Sequence, residues 1–199
     1  MSKNLTRKGF VAGGIATAGG LVIGGSPTVA APVPTPKKVR ISDSQDVRVL
    51  NFFLVVEEVL AGFYASALEA GGLHGEMGQF AEVALAHERK HVKWLRKLLG
   101  SRARTRPSLD LSGAPRNAQS FVQNAIALEE ANVAAYNGQA SNLSRSGLVV
   151  AARMVSVDAR HAAWVHDLAG KTPAYMTIDR PMSEAEVLRV LKRTTFLAS

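Results

Sequence analysis

Four stretches of this chain space their apolar residues by three and four, and ionisable side chains break each series near its middle. The first series is Leu50, Phe53, Glu57, Leu60 and Tyr64, and the second is Ala84, Glu88, His91, Leu95 and Leu98. The third runs Val122, Ile126, Glu129, Val133 and Tyr136, and the fourth Ala151, Met154, Asp158, His161, Val165 and Leu168. Such steps keep one stripe of a helix facing a common interior. The sequence therefore predicts an all-α four-helix bundle with polar groups at its centre. No stretch alternates cleanly enough for a strand.

Local signals place the helices. The first is expected from Asp43-Ser44 to Glu69, ended by Gly71-Gly72, and the second from Gly75 to Leu99, ended by Gly100. The third is expected over Asn117 to Ser141 and the fourth over Ser146 to Gly170. Ser101 to Arg116, with Pro107, Gly113 and Pro115, reads as a long crossover between helices two and three. Ser183 and Glu186 form a capping box for a short terminal helix to about Leu197.

The two halves repeat. Glu57 to Tyr64 and Glu129 to Tyr136 share Glu-x6-Tyr at an offset of 72, and Glu88-x2-His91-x2-Trp94 matches Asp158-x2-His161-x2-Trp164 at an offset of 70. A pair three residues apart lies on one helical face, so a carboxylate and an imidazole can point at one ion. In an antiparallel hairpin, residues at equal depth are equidistant from the turn. The midpoint between Glu57 and the Glu88/His91 pair falls near residue 73, and that between Glu129 and Asp158/His161 near residue 144, both in expected turns. The six groups should thus meet at one level. Helix two is about 37 Å long at 1.5 Å per residue. The crossover can span at most roughly 53 Å, enough to return along it.

Four carboxylates and two histidines inside a bundle would repel one another and lose hydration, costing several kcal/mol for each uncompensated ion. No Lys or Arg lies on the seams to neutralise them. Two divalent cations balance four carboxylates, and an oxygen-rich set with two imidazoles suits iron or manganese better than a soft-ligand metal. The expected metal residues are therefore Glu57, Glu88, His91, Glu129, Asp158 and His161, with two Fe or Mn ions per chain.

At these residues the chain resembles the ferritin-like superfamily, and within it the branch of desiccation-related proteins. The resemblance is carried by Leu50-Asn51-Phe52, Glu57, Phe63-Tyr64, Glu88 to Val92, Leu128-Glu129, Ala135-Tyr136, Asp158 to Ala163 and Met182 to Leu188. It covers roughly residues 43 to 197. It implies terminal ligands at Glu57 and Glu129, bridging ligands at Glu88 and Asp158, and nitrogen ligands at His91 and His161. Asp158 stands where the family usually has Glu, which implies a weaker or asymmetric bridge.

Other residues carry two readings each. Tyr64 and Tyr136 are seam tyrosines that either pack as core or hydrogen-bond the ligand carboxylates. Trp94 and Trp164 are expected to pack. His87, one turn before His91, is expected on a solvated flank unless it is an extra ligand. His74 and His166 are expected at the surface. Arg102, Arg104, Arg106 and Arg116 form a basic strip on the crossover, expected to be solvated.

The amino terminus reads as an export signal rather than part of the fold. Lys3, Arg7 and Lys8 precede an uncharged run from Gly9 to Gly25 with seven glycines, and small residues at Ser26 to Ala31 offer a cleavage site after Ala30. Thr6 to Val11 resembles a twin-arginine motif with Lys as the second base; the general secretory route would accept it too. The run is too glycine-rich for an anchor, so no stable membrane insertion is expected after cleavage. Residues 31–42, with Pro32, Pro34 and Pro36, read as a linker to a domain over 43–199.

Composition narrows the remaining classes. With no cysteine, a disulfide scaffold, a thiolate metal site and a cysteine nucleophile are excluded. The net charge is +8, and setting aside the three amino-terminal bases leaves an excess of five, with no nucleic-acid reading motif, so no nucleic-acid partner is expected. The leading expectation is an exported dinuclear protein that oxidises ferrous iron or disposes of peroxide. The alternatives are a non-enzymatic stress, desiccation-related or envelope bundle protein, with metal absent or structural, and an iron-storage cage. Storage needs a homo-oligomer, which one chain's sequence leaves open.

Overall fold

The computed structural model describes residues 40–109, 115 and 117–194. Within these it is all-helical, without strands: α1 spans Ser44–Glu69, α2 Gly75–Leu99, α3 Ala118–Gln139, α4 Arg145–Leu168 and α5 Glu184–Arg193. Short 3-10 turns follow α2 at Gly100–Arg102 and α3 at Ala140–Asn142. The expected amino-terminal signal and most of the linker lie outside the described residues.

Caps set the starts. The Asp43 carboxylate accepts from Gln45 N at 2.7 Å, the Asn117 side chain accepts from Ser120 N at 2.9 Å, and Ser144 Oγ accepts from Gly147 N at 3.3 Å. Ser183 and Glu186 make both bonds of the expected capping box. The ends differ slightly from the periodicity. α3 tightens into 3-10 geometry after Gln139, α4 stops at Leu168, and α5 stops at Arg193 rather than near Leu197, which lies outside the described residues.

α1 packs along α2 and α3 along α4, and the pairs meet through α1 on α3 and α2 on α4. Tyr64 reaches from α1 to Glu129 and Tyr136 from α3 to Glu57. These two bonds require α1 and α3 to run antiparallel, so the crossover climbs back along the bundle. Aromatic rings fill the core on both sides of the carboxylates. Phe63 stacks on Phe121 at 5.5 Å and meets Tyr64 edge-on at 5.0 Å, while Phe53 lies 4.1 Å from Tyr136. Each such side chain, fully buried, contributes about 1.5–3 kcal/mol.

α1 is buried on nearly every side, not along one stripe: Phe52, Leu54, Val55, Val56 and Glu58 are buried beside the seam residues. Its outer face is covered by the crossover. Asn51 donates to Arg102 O at 2.9 Å and accepts from Arg104 N at 2.7 Å, and Arg102 donates to Ile41 O at 2.7 Å. Glu58 is clamped by Arg96, with Arg106 Nε at 3.7 Å. The expected basic strip is exposed at Arg102, Arg104 and Arg106, which nonetheless tie the crossover to α1, while Arg116 is not among the described residues. This explains why α1 is the one described helix apolar enough to cross a membrane, since 72% of its most apolar window is buried within the bundle.

The segment before α5 is pinned by Met182 N donating to Ala134 O at 3.0 Å, and it crosses α3 at Gly138. A Cβ there would lie 1.9 Å from Met182 O. In an open helix, Gly→Ala would stabilise by roughly 0.5–1 kcal/mol. Here Gly138→Ala is expected to destabilise by about 1–3 kcal/mol through overpacking, read as a lowered melting midpoint. A raised midpoint would show that the segment does not rest on α3.

Candidate metal centre

The six expected residues converge at mid-depth, one from α1, two from α2, one from α3 and two from α4. Glu57, Glu88, Glu129 and Asp158 are 0% exposed, and His91 and His161 are buried. Glu88 divides its carboxylate between the two imidazoles. Its Oε2 lies 3.2 Å from His91 Nδ1 and its Oε1 3.0 Å from His161 Nδ1. His91 Nδ1 also lies 3.3 Å from Glu57 Oε2 and 3.4 Å from Asp158 Oδ1. His161 Nδ1 lies 3.6 Å from Glu129 Oε1.

The donor atoms thus form two sets that could each hold a metal ion: Glu57, Glu88, His91 and Asp158, and Glu88, Glu129 and His161. The sets share Glu88. Asp158, with the shorter side chain, sits with the first set, and its Oδ1 is 3.9 Å from His161 Nδ1.

Two tyrosines sit behind the carboxylates in a crossed arrangement. Tyr64 OH donates to Glu129 Oε1 at 2.5 Å, and Tyr136 OH donates to Glu57 Oε1. Of the two readings of these tyrosines, both hold at once: they are core residues, and each orients a carboxylate. Burial, then the neighbouring Glu129 and Glu57 charges, raises both phenols, which keeps them donors.

The chemistry of the donor set fits a cation. Glu88 Oε1, Glu129 Oε2, both Asp158 oxygens and His161 Nδ1 are buried without a hydrogen-bond partner. Glu88 Oε1 and His161 Nδ1 are 3.0 Å apart, yet are not aligned as donor and acceptor. Orphaned polar atoms cost about 1–3 kcal/mol each and demand an explanation. No Lys or Arg is buried among the described residues to supply the positive charge.

Without a cation, protons must do so. Burial raises Glu88 and Asp158, with the Glu57 charge adding to it. Burial opposes protonation of His91, but bonds to Glu57 and Glu88 outweigh it and hold the imidazole at about 11. His161 is likewise raised against its burial, through Glu129. Burial would also raise Glu57, yet bonds from Glu88, His91 and Tyr136 bring it down to about 2.

A pH dependence follows. Above about pH 5 the unfolded chain has released the protons of Glu88 and Asp158, and above about 6.5 that of His91, while the folded chain holds them to higher pH. The folded state binds more protons, so metal-free stability falls as pH rises. Glu57 is ionised in both states over this window and adds no slope. A bound cation replaces those protons, so its affinity rises with pH. The gap in melting midpoint between metal-loaded and metal-free chain should widen from about pH 5.5 to 8.5 by calorimetry. A narrowing gap would contradict this charge balance.

Two histidines depart from expectation. His87 is half-buried, with Nδ1 2.9 Å from His161 Nε2. Partial burial, then the His161 charge, lowers it. His166, expected at the surface, is buried in the last turn of α4, five residues beyond His161. Its Nε2 lies 2.8 Å from Glu130 Oε1, and its ring lies against Tyr175 at 4.9 Å. The segment that brings Tyr175 over α4 has no helical period, so nothing in the sequence marked this burial. His74 is exposed, as expected. Trp164 packs on Phe80 at 5.3 Å and donates to Glu76 Oε1 at 3.2 Å, and Trp94 lies under Arg153 at 5.0 Å.

A search of the curated proteins finds no match to the chain. Residues 45–171 match the family described as Ferritin-like domain, a span that runs from the first turn of α1 to just past α4 and holds all six converging residues. With an all-helical fold, antiparallel helix pairs and a buried carboxylate–histidine cluster that could hold metal, the chain belongs to the ferritin-like domain family.

Proposed function

We propose that the protein is an exported ferritin-like bundle whose cluster binds two redox-active divalent cations, iron or manganese, and uses them to oxidise ferrous iron or dispose of peroxide. One observation carries the reading: Glu88 directs one oxygen toward each imidazole, as a carboxylate shared between two cations would. Glu57, His91 and Asp158 would complete one set, and Glu129 and His161 the other. Bound there, the ions would supply electron transfer to or from the substrate.

The chain's own residues do the rest. Tyr64 and Tyr136 fix Glu129 and Glu57, so that each carboxylate keeps its remaining lone pairs inward. Phe53, Phe63 and Phe80 are 0% exposed and keep water from the cluster. His91, held protonated in the metal-free chain, gives up that proton as a cation enters.

Export is part of the proposal. Its support is the basic start, the uncharged glycine-rich run and the small residues before Ala31. Membership of the desiccation-related branch is also part of the proposal; its support is the resemblance at the bundle residues and at Met182 to Leu188, and it would make this a stress protein of the cell envelope.

The test is to load the mature chain, from Ala31, anaerobically with ferrous iron and then admit oxygen or peroxide. Rapid oxidation of protein-bound iron with repeated turnover is expected. Uptake without oxidation would favour the structural protein.

A further inference from the structure

We propose that His87 is a positioning residue that holds His161 with its Nδ1 turned toward the Glu88–Glu129–His161 set. The inference rests on the metal reading of the cluster and deepens it. A neutral imidazole ligand must present a bare nitrogen, and the partner of its other nitrogen decides which one. His161 Nδ1 is the atom facing Glu88 Oε1, at 3.0 Å. Its Nε2 meets His87 Nδ1 at 2.9 Å.

The ring planes are 16° apart and the centroids 5.2 Å apart. That separation is about what the N···N distance and two ring radii add up to. The rings therefore lie end to end in nearly one plane, the geometry of an N–H···N bond and not of a face-to-face stack. With Nδ1 of His161 bare, its Nε2–H donates to His87 Nδ1, and His87 keeps its own proton on Nε2.

The arrangement occurs in one half of the cluster. The internal repeat pairs Glu88 with Asp158 and His91 with His161 at an offset of 70, so the counterpart of His87 is Val157, which has no ring nitrogen to offer. The edge of Phe80, 6.5 Å from His161 centroid to centroid, restrains the ring's position but cannot select its tautomer. A residue that merely filled space beside His161 would be replaced by a leucine without loss. His87 should matter to one set.

The test titrates manganese(II) into the metal-free full-length chain by calorimetry, comparing the native chain with His87→Leu and His87→Gln. The native chain is expected to bind in two steps. His87→Leu should leave one step within about threefold and weaken the other by about 10–100-fold, as loss of an outer-shell partner does. His87→Gln, whose amide oxygen can accept the Nε2–H, should recover most of the loss.

Equal weakening of both steps, no change in either, or no recovery with Gln would overturn the assignment. A second measurement is independent of metal. The nitrogen–proton spectrum of the metal-free chain should show an exchange-protected Nε2–H of His161 that is missing in His87→Leu. Absence of that proton from the native chain would overturn the assignment. If the native chain takes no manganese yet shows the proton, the metal reading fails while the His87–His161 bond stands.

Discussion

Replacing Glu88 with leucine is expected to empty both metal sets while leaving the fold intact. The carboxylate places one oxygen 3.2 Å from His91 Nδ1 and the other 3.0 Å from His161 Nδ1, so no other single side chain reaches both imidazoles this closely. Loss of an outer-shell partner costs roughly 10–100-fold in metal affinity, and loss of a shared ligand should exceed about 100-fold for each ion. The metal-free protein should respond in the opposite sense. Glu88 is 0% exposed, its carboxyl is raised by burial and by the Glu57 charge, and its Oε1 has no hydrogen-bond partner. Leucine has similar volume and removes that burden, and apolar replacement of buried ionic groups is often neutral or stabilising by about 1–4 kcal/mol. Elemental analysis and melting of the apo variant read the two effects separately. Unchanged metal content would sink the shared-carboxylate assignment.

The largest loss of stability is expected from Phe63→Ala. Phe63 is 0% exposed, stacked on Phe121 at 5.5 Å with planes 4° apart, and meets Tyr64 edge-on. It therefore joins the end of α1 to the start of α3, a contact the chain must make across the whole crossover. Truncation of a buried phenylalanine costs about 3–5 kcal/mol, which lowers the melting midpoint by roughly 10 °C in a domain of this size. Because Tyr64 leans on the same ring and holds Glu129, metal affinity should fall with it. Ile178→Ala, at a position 83% exposed, serves as control and should stay within about 0.5 kcal/mol. Equal effects of the two substitutions would mean that the aromatic cluster does not support the bundle.

Much of this was legible because the relevant signals are local or periodic. Asp43, Asn117, Ser144 and Ser183 cap helices whose starts the sequence marks to within about two residues. The in-register ionisable groups on four seams marked the cluster, and depth counted from the turns placed them at one level.

What was not legible depends on packing across elements. A seam written as Leu98 and Val122 turned by one residue, so that Leu99 and Phe121 are the fully buried side chains. A one-residue rotation of an amphipathic helix leaves its periodicity nearly unchanged and is decided by the neighbouring helix. Glu58, next to Glu57 and off the seam, is buried because the crossover covers it and Arg96 pairs with it. Asp46 is a further case. It is 1% exposed and accepts from Ser144 N at 2.8 Å and Ser144 Oγ at 2.6 Å, tying the start of α1 to the turn before α4, 98 residues away. No spacing rule announces a contact of that separation. His87 gave a partial signal, since it lies one turn from His91. Its partner turned out to be the histidine of the other half.

The most direct test of the proposed dinuclear centre is metal per chain, measured by elemental mass spectrometry on untagged protein from Ala31 after anaerobic reconstitution with ferrous iron or manganese(II). Two ions per chain are predicted, both lost on chelation and both absent from Glu88→Leu. A chain that stays folded and takes up neither metal would contradict the account and leave the cluster as a set of buried acids held by protons alone.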